Sequence, residues 1–506
     1  LLVFAVVLIV LSVGNLIFQI TWPYPTEIFE AAQLSSTRLI LSGENPYAFE
    51  HRPFQTNVYG PLYPYVSSIL SGLLGDGFMS HRFVSIICIL LSSAILFWAT
   101  VQQGVAASIR WPVVSLYAFH LTHSIQATAR PDALGAFLFL WAGYLVWNKD
   151  CSRRSLFLAT LLAMLGLAAK PYFILCVPFI GLYLFLSRGL TSAAGLALGF
   201  IVALTLSVFV MSILFECYLT EVFVIHRNAQ SLFGGHMIWN LIYYSLFFAP
   251  LIFVSLSGLF REWLLNKRTV FKNRNLISDV LFWSGIAVIV VRLGWHTGNG
   301  IIYYHHLVTP FLLWSFAYWS SQRSAKDVLP KIALCLSLTM SIIFVDRPTP
   351  ESHEWSELED RIHAGTSTLL GPTLSHYGDG KETFTFDNGQ SRYLELVLSG
   401  VPSDTSEQYY KRSSEFLGNI RDRLRSQSYG EVIVFKDNWS LLENSKFFRP
   451  DESAFRLLDH YYISKRFRAP IIYGAYIGAQ KKIDQILVLS PRGSSHYFAR
   501  TRVDRG

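Results

Sequence analysis

ARPDALGAFLFLWAGYLVWN (residues 129–148) and SLFLATLLAMLGLAAKPY (155–172) are apolar runs whose charges stand only near their ends. Arg130-Pro131-Asp132 opens the first run, Lys170-Pro171-Tyr172 closes the second, and Lys149, Arg153 and Arg154 fill the turn between them. Uncharged stretches of this kind read as helices entering a bilayer. A hairpin of two such helices returns its first and last residues to one side. Both ionisable clusters therefore share a face, opposite the basic turn. Charges at that depth are costly, so they mark a pathway or a reaction centre more often than packing.

Composition extends this reading to the whole chain. Its 506 residues are 52% hydrophobic and 15% charged, too apolar for an ordinary soluble enzyme. From Asp346 onward 22 Lys+Arg balance 22 Asp+Glu, so the net charge of +8 falls entirely within residues 1–345. There the basic residues occupy short loops, which fits membrane orientation and not nucleic-acid binding. Cys88, Cys151, Cys176, Cys217 and Cys335 form no CxxC or metal-ligand spacing, and none lies in the C-terminal third.

Apolar runs predict about eleven spans, near 1–20, 80–101, 109–127, 133–147, 155–169, 171–186, 190–215, 238–260, 279–293, 302–320 and 328–345. Leu1–Ile20 has no small-x-small cleavage site before Trp22 and is read as a retained span. Arg188, Arg261, Lys267, Arg268, Lys272, Arg274, Arg323 and Lys326 join the basic turn on the cytoplasmic side. An odd number of spans leaves the C-terminal part outside. The expected division is a transmembrane domain over 1–345 and an extracytoplasmic α/β domain over 346–506. In the first outer loop, Glu27–Leu41 and the repeat of Leu62, Tyr65, Val66, Ile69, Leu73 and Leu74 predict helices lying in the membrane interface. Beyond Val345, strands are predicted at Thr383–Asp387, Glu431–Phe435 and Gln485–Leu489, with a helix over Ser414–Gln427 and a partly parallel sheet.

The candidate chemistry lies on the outer side. Glu27 and Glu30 share a helix face. Either is placed to take a proton from an acceptor hydroxyl, or both are solvated acids at a helix start. Arg130 and Asp132 either pair at a span end, or Arg130 forks onto a phosphate while Asp132 orients it or a sugar hydroxyl. Lys170 either snorkels or serves the same anion. Arg227, His305 and His306 are polar interfacial groups or donors to a departing phosphate. Tyr24, Tyr59, Tyr63 and Tyr172 are expected along the substrate cavity. No HExxH, Walker loop or GxGxxG in strand-to-helix context occurs, so neither zinc nor a sugar nucleotide is implied. Asn438-Trp439-Ser440 matches a glycosylation acceptor, a common tripeptide.

Together these residues resemble the GT-C superfamily of polytopic glycosyltransferases. The likeness is to its family-39-like bacterial branch, related to protein mannosyltransferases and the lipid A aminoarabinose transferase. The matching pieces are the acidic first loop from Tyr24 to Glu30, Gly43-Glu44-Asn45-Pro46-Tyr47, Tyr59-Gly60-Pro61-Leu62-Tyr63, Arg82, Arg130-Pro131-Asp132, Lys170-Pro171 and the outer run Phe386-Asp387-Asn388-Gly389-Gln390. Protein mannosyltransferases carry an adjacent Asp-Glu in the first loop, whereas here Glu27 follows Pro25-Thr26.

The resemblance implies an enzyme of the bacterial inner (plasma) membrane that inverts the sugar of a polyprenyl-phosphate donor. Its acceptor would be a lipid, glycan or protein, its other partners membrane lipids, and no cofactor or metal is implied. Glu27 would be the base, with Glu30 its competitor and Asp132 the next candidate. Arg130, Lys170 and His305 or His306 would hold the departing phosphate. The competing readings are a transporter or flippase, disfavoured because no inverted repeat is visible, and an inactive scaffold.

Overall fold

A computed structural model of the chain describes residues 1–26, 30–51, 57, 59–148, 151–219, 222, 236–265, 273–288, 305–323, 327–344, 352–365, 367–370, 382–383, 411, 415, 418–420, 422–435, 461–470 and 483–491. The chain runs α1 (Leu2–Thr21), α2 (Glu30–Leu41), α3 (Leu62–Leu74), α4 (Phe78–Gln102), α5 (Ala107–Thr122), α6 (Asp132–Asn148), α7 (Arg153–Ala169), α8 (Cys176–Arg188), α9 (Leu190–Leu214), α10 (His236–Leu265), α11 (Ile277–Val288), α12 (Thr309–Ser321) and α13 (Leu329–Phe344). Helix α14 (Ser352–Ala364) follows, then strands β1 (Thr368–Leu370), β2 (Glu382–Thr383), β3 (Glu431–Phe435), β4 (Tyr461–Pro470) and β5 (Ile483–Pro491).

Among the described residues five helical segments are long and apolar enough to cross a membrane: Leu2–Thr21, Phe78–Gln102, Pro171–Arg188, Leu190–Leu214 and Phe247–Leu265. The expected count was about eleven. That count is not confirmed: α6 and α7 have 17 residues each and α5 has 16, and the predicted spans near 279–293 and 302–320 lie partly outside the described residues. At 1.5 Å per residue such helices reach roughly 26 Å, short of a bilayer's hydrocarbon core.

Burial separates helices inside the bundle from those on its rim. In α12 every residue from Thr309 to Ser320 is buried, as an apolar helix surrounded by others must be. In α9 only Leu196 and Phe200 are buried, and Leu198, Ile201, Val202, Leu206, Phe209 and Ile213 are exposed. Helices α2 and α3 fall within the predicted stretches of the first loop. Helix α3 buries Tyr63, Ser67, Ser68 and Ser71 and turns Ile69 and Leu73 outward, which suits a helix whose outer face meets lipid.

The α6–α7 hairpin is shaped by its ends. Ser152 caps α7, its side chain accepting from the Ser155 amide at 3.2 Å. Lys170 precedes Pro171, which disfavours helical backbone at the lysine. Its φ of −155° and ψ of 127° end α7 there in an extended conformation. The chain then lies back on α6, where a Cβ on Gly135 would stand 1.9 Å from the Phe173 ring. Glycine is what admits that approach.

The C-terminal sheet has the order β2-β1-β3-β5-β4, with β1 parallel to β2 and β3, and β5 antiparallel to β3 and β4. The mixed sheet agrees with a partly parallel arrangement. Strand β3 covers the predicted residues, and β5 extends the predicted segment at both ends. Of the predicted helix, 418–420 and 422–425 are helical. Val432 and Ile433 in β3, Phe467 in β4 and Val488 in β5 are buried, and Trp355, Leu358 and Ile362 of α14 pack on this sheet. Tyr24, from the segment after α1, completes the cluster.

Candidate active site

Both ionisable clusters of the α6–α7 hairpin meet. Asp132 lies in the first turn of α6, where the helix dipole favours a carboxylate. Its Oδ1 accepts from Lys170 Nζ at 2.7 Å and from the Tyr172 hydroxyl at 2.9 Å, and its Oδ2 accepts from Arg130 Nε at 3.0 Å. A terminal Arg130 nitrogen donates to the Tyr59 hydroxyl at 2.9 Å. Lys170 Nζ also stands 4.8 Å from the Tyr59 ring centroid and 4.9 Å from that of Tyr172. Arg130 and Asp132 are fully buried and Lys170 is 6% exposed, so these contacts act where solvent screens them little.

A hydrogen-bonded chain extends the group. The Tyr172 hydroxyl lies 2.8 Å from His306 Nε2, and Gln126 Nε2 lies 2.6 Å from His306 Nδ1. A phenol that donates to Asp132 has only lone pairs left for the histidine, and an amide nitrogen can only donate. The network thus links Gln126, His306, Tyr172 and Asp132 in one hydrogen-bonded chain.

Tyr59 is placed by a close backbone approach. The Gly60 amide donates to the Ala169 carbonyl at 3.2 Å, and a Cβ on Gly60 would stand 1.9 Å from the Ala168 carbonyl oxygen. Only glycine lets the Tyr59-Gly60-Pro61 turn touch the end of α7. From the other side, the Tyr47 hydroxyl donates to the Tyr59 carbonyl at 2.5 Å, and the Tyr59 amide donates to Asn57 at 3.1 Å.

Glu30 belongs to a second buried network. Its Oε1 accepts from Arg82 Nε at 2.9 Å and from the Ala129 amide at 2.7 Å. Its Oε2 accepts from a terminal Arg82 nitrogen at 2.8 Å, the Thr26 amide at 2.6 Å and the Thr26 hydroxyl at 3.2 Å. Burial pushes the Glu30 carboxyl up, but the Arg82 charge and these donors outweigh it and hold the group below the usual carboxylate range.

The remaining candidates stand as follows. Glu27 and Arg227 lie outside the described residues, as does the His305 side chain, although the His305 backbone belongs to the 3₁₀ turn His305–Leu307. Tyr63 is buried in α3, its hydroxyl donating to the His81 carbonyl at 2.9 Å. Tyr24 stacks on Trp355 with ring centroids 5.6 Å apart. Gln126 was not anticipated, since a lone glutamine between spans carries no motif. No group of three or more His, Cys, Asp or Glu side chains that could hold a metal occurs among the described residues.

No protein-family model and no curated protein matches the chain. Solved structures do. ArnT from Cupriavidus metallidurans in the apo state aligns with a TM-score of 0.56 at 13% identity, over 96% of this chain and 97% of that one. The same protein bound to undecaprenyl phosphate aligns at 0.55 and 14% identity, with the same coverage. The Archaeoglobus fulgidus oligosaccharyltransferase, tethered to an acceptor peptide by a disulfide, aligns at 0.51 and 12% identity, over 98% of this chain and 76% of that one. These are GT-C superfamily structures, and this chain has their fold.

Proposed function

We propose that the chain is an inverting glycosyltransferase that moves a sugar from a polyprenyl-phosphate donor to a lipid, glycan or protein hydroxyl on the extracytoplasmic face. The observation that carries this reading is the convergence of buried Arg130 and Lys170 on one carboxylate, beside Tyr59, Tyr172 and His306. A phosphate oxygen is an acceptor of the same kind as that carboxylate, and Asp132 holds both cations oriented before a ligand arrives. The similarity to a structure bound to undecaprenyl phosphate supports the same ligand class.

In the reaction, the acceptor oxygen bonds to the anomeric carbon from the face opposite the phosphate. The carbon–oxygen bond to the phosphate breaks, and its electron pair leaves with the polyprenyl phosphate. Glu27 takes the acceptor's proton. Arg130 and Lys170 hold the charge that grows on the leaving oxygen, with the His306–Tyr172 pair fixing Asp132 behind them.

Binding of undecaprenyl phosphate to the purified protein, followed by native mass spectrometry, tests the phosphate contacts. Arg130→Ala and Lys170→Ala are expected to weaken binding roughly ten- to hundredfold, the worth of a charge-assisted contact. Arg130→Lys should recover only part, because an ammonium cannot fork onto two oxygens. Unchanged affinity in both alanine variants would place the phosphate elsewhere.

A further inference from the structure

We propose that Glu30 and Arg82 form a positioning pair that locks the segment 22–26 to the backbone entering Arg130, so that Glu30 acts through other residues and does not itself take the acceptor's proton. The functional meaning of the pair rests on the phosphate-holding role of Arg130. Its geometry does not.

One fully buried carboxylate joins two segments about a hundred residues apart in the chain. Its Oε2 holds the Thr26 amide and its Oε1 holds the amide of Ala129, the residue before Arg130. Arg82 reinforces the first segment from α4. It donates to the carbonyls of Gln19 at 3.1 Å, Trp22 at 2.5 Å and Tyr24 at 2.6 Å while forking onto Glu30. On its other side, the same segment is fixed by Tyr24, whose ring stacks on Trp355 of α14. Segment 22–26 is thus gripped from the bundle and from the C-terminal sheet together.

A carboxylate offers about four lone-pair directions, and five donors already occupy Glu30. A base needs one of those directions for the substrate. The placement fits a hinge pin better than a proton acceptor.

Hydrogen–deuterium exchange resolved at the Thr26 and Ala129 amides tests the pair. A glutamine has one acceptor oxygen where Glu30 has two, so Glu30→Gln cannot serve both amides. Exchange at one or both should rise roughly ten- to hundredfold, while α12 keeps its protection. Affinity for undecaprenyl phosphate should fall by roughly two- to thirtyfold, although the residue touches no phosphate. A base that merely faces the acceptor would leave both readouts unchanged.

Should Glu30→Gln fail to fold, the double variant Glu30→Gln/Arg82→Gln removes both buried charges and is read in the same way. Wild-type exchange at both amides in a folded variant would overturn the proposal. So would wild-type affinity in Glu30→Gln when Arg130→Ala binds weakly. If the unaltered protein binds no undecaprenyl phosphate, the phosphate reading falls, and the exchange result still decides whether the pair locks these segments.

Discussion

Glu27→Gln is expected to fold, bind a polyprenyl-phosphate donor and lose nearly all transfer. An acceptor hydroxyl is a poor nucleophile until its proton is leaving, and a positioned base contributes about 10²–10⁴-fold. Glutamine keeps the size of the side chain and removes its charge, so donor affinity should hold while turnover collapses. Glu30→Gln should be milder, acting through the placement of Arg130. Transfer from a lipid-linked sugar, measured beside donor binding, separates the two. An active Glu27→Gln with a dead Glu30→Gln would exchange their roles. Full activity in both would move the base to Asp132.

The second large effect falls on stability. Asp132→Ala takes from two buried cations the carboxylate they share, and breaking a buried ion pair by removing one partner costs about 3–5 kcal/mol. The variant should show a markedly lower unfolding midpoint in detergent, or fail to accumulate as monodisperse protein. Asp132→Asn keeps one acceptor oxygen and should lose less. An Asp132→Ala protein as stable as the parent would mean that this carboxylate does not organise the cluster.

What the sequence made legible follows from how each signal is written in it. Arg130, Asp132 and Lys170 are charges at the ends of apolar runs. A hairpin alone brings them to one side, and the structure places an Arg130 and a Lys170 nitrogen each within 3.0 Å of the Asp132 carboxylate. The two first-loop helices were also readable, because their apolar spacing is regular. Partners distant in sequence were not. Nothing near Glu30 names Arg82, 52 residues on, or the amide of Ala129.

Tyr24 shows the same limit. From the sequence this tyrosine is expected along the substrate cavity, and only the packing of α14 against the sheet brings Trp355 to it. The helical spacing of Trp355, Leu358 and Ile362 is present in the sequence, yet it does not say that a residue after α1 completes their cluster. Strand β4 was obscured differently. Its alternation is interrupted by a register shift between Ile463 and Lys465, and Lys465, Arg466 and Arg468 dilute its apolar signal. The number of spans is not confirmed: five helical segments among the described residues are long and apolar enough to cross a membrane, whereas α7 has the composition of a membrane helix but 17 residues.

The most direct test of the central claim is mass spectrometry of the lipid extract from cells with the protein, without it, and with Arg130→Ala or Lys170→Ala in its place. Polyprenyl-phosphate sugar should accumulate when the protein is absent, and the unaltered protein should clear it. Each variant should leave most of it in place. An unchanged pool of polyprenyl-phosphate sugars on removal of the protein would contradict a transferase that consumes them.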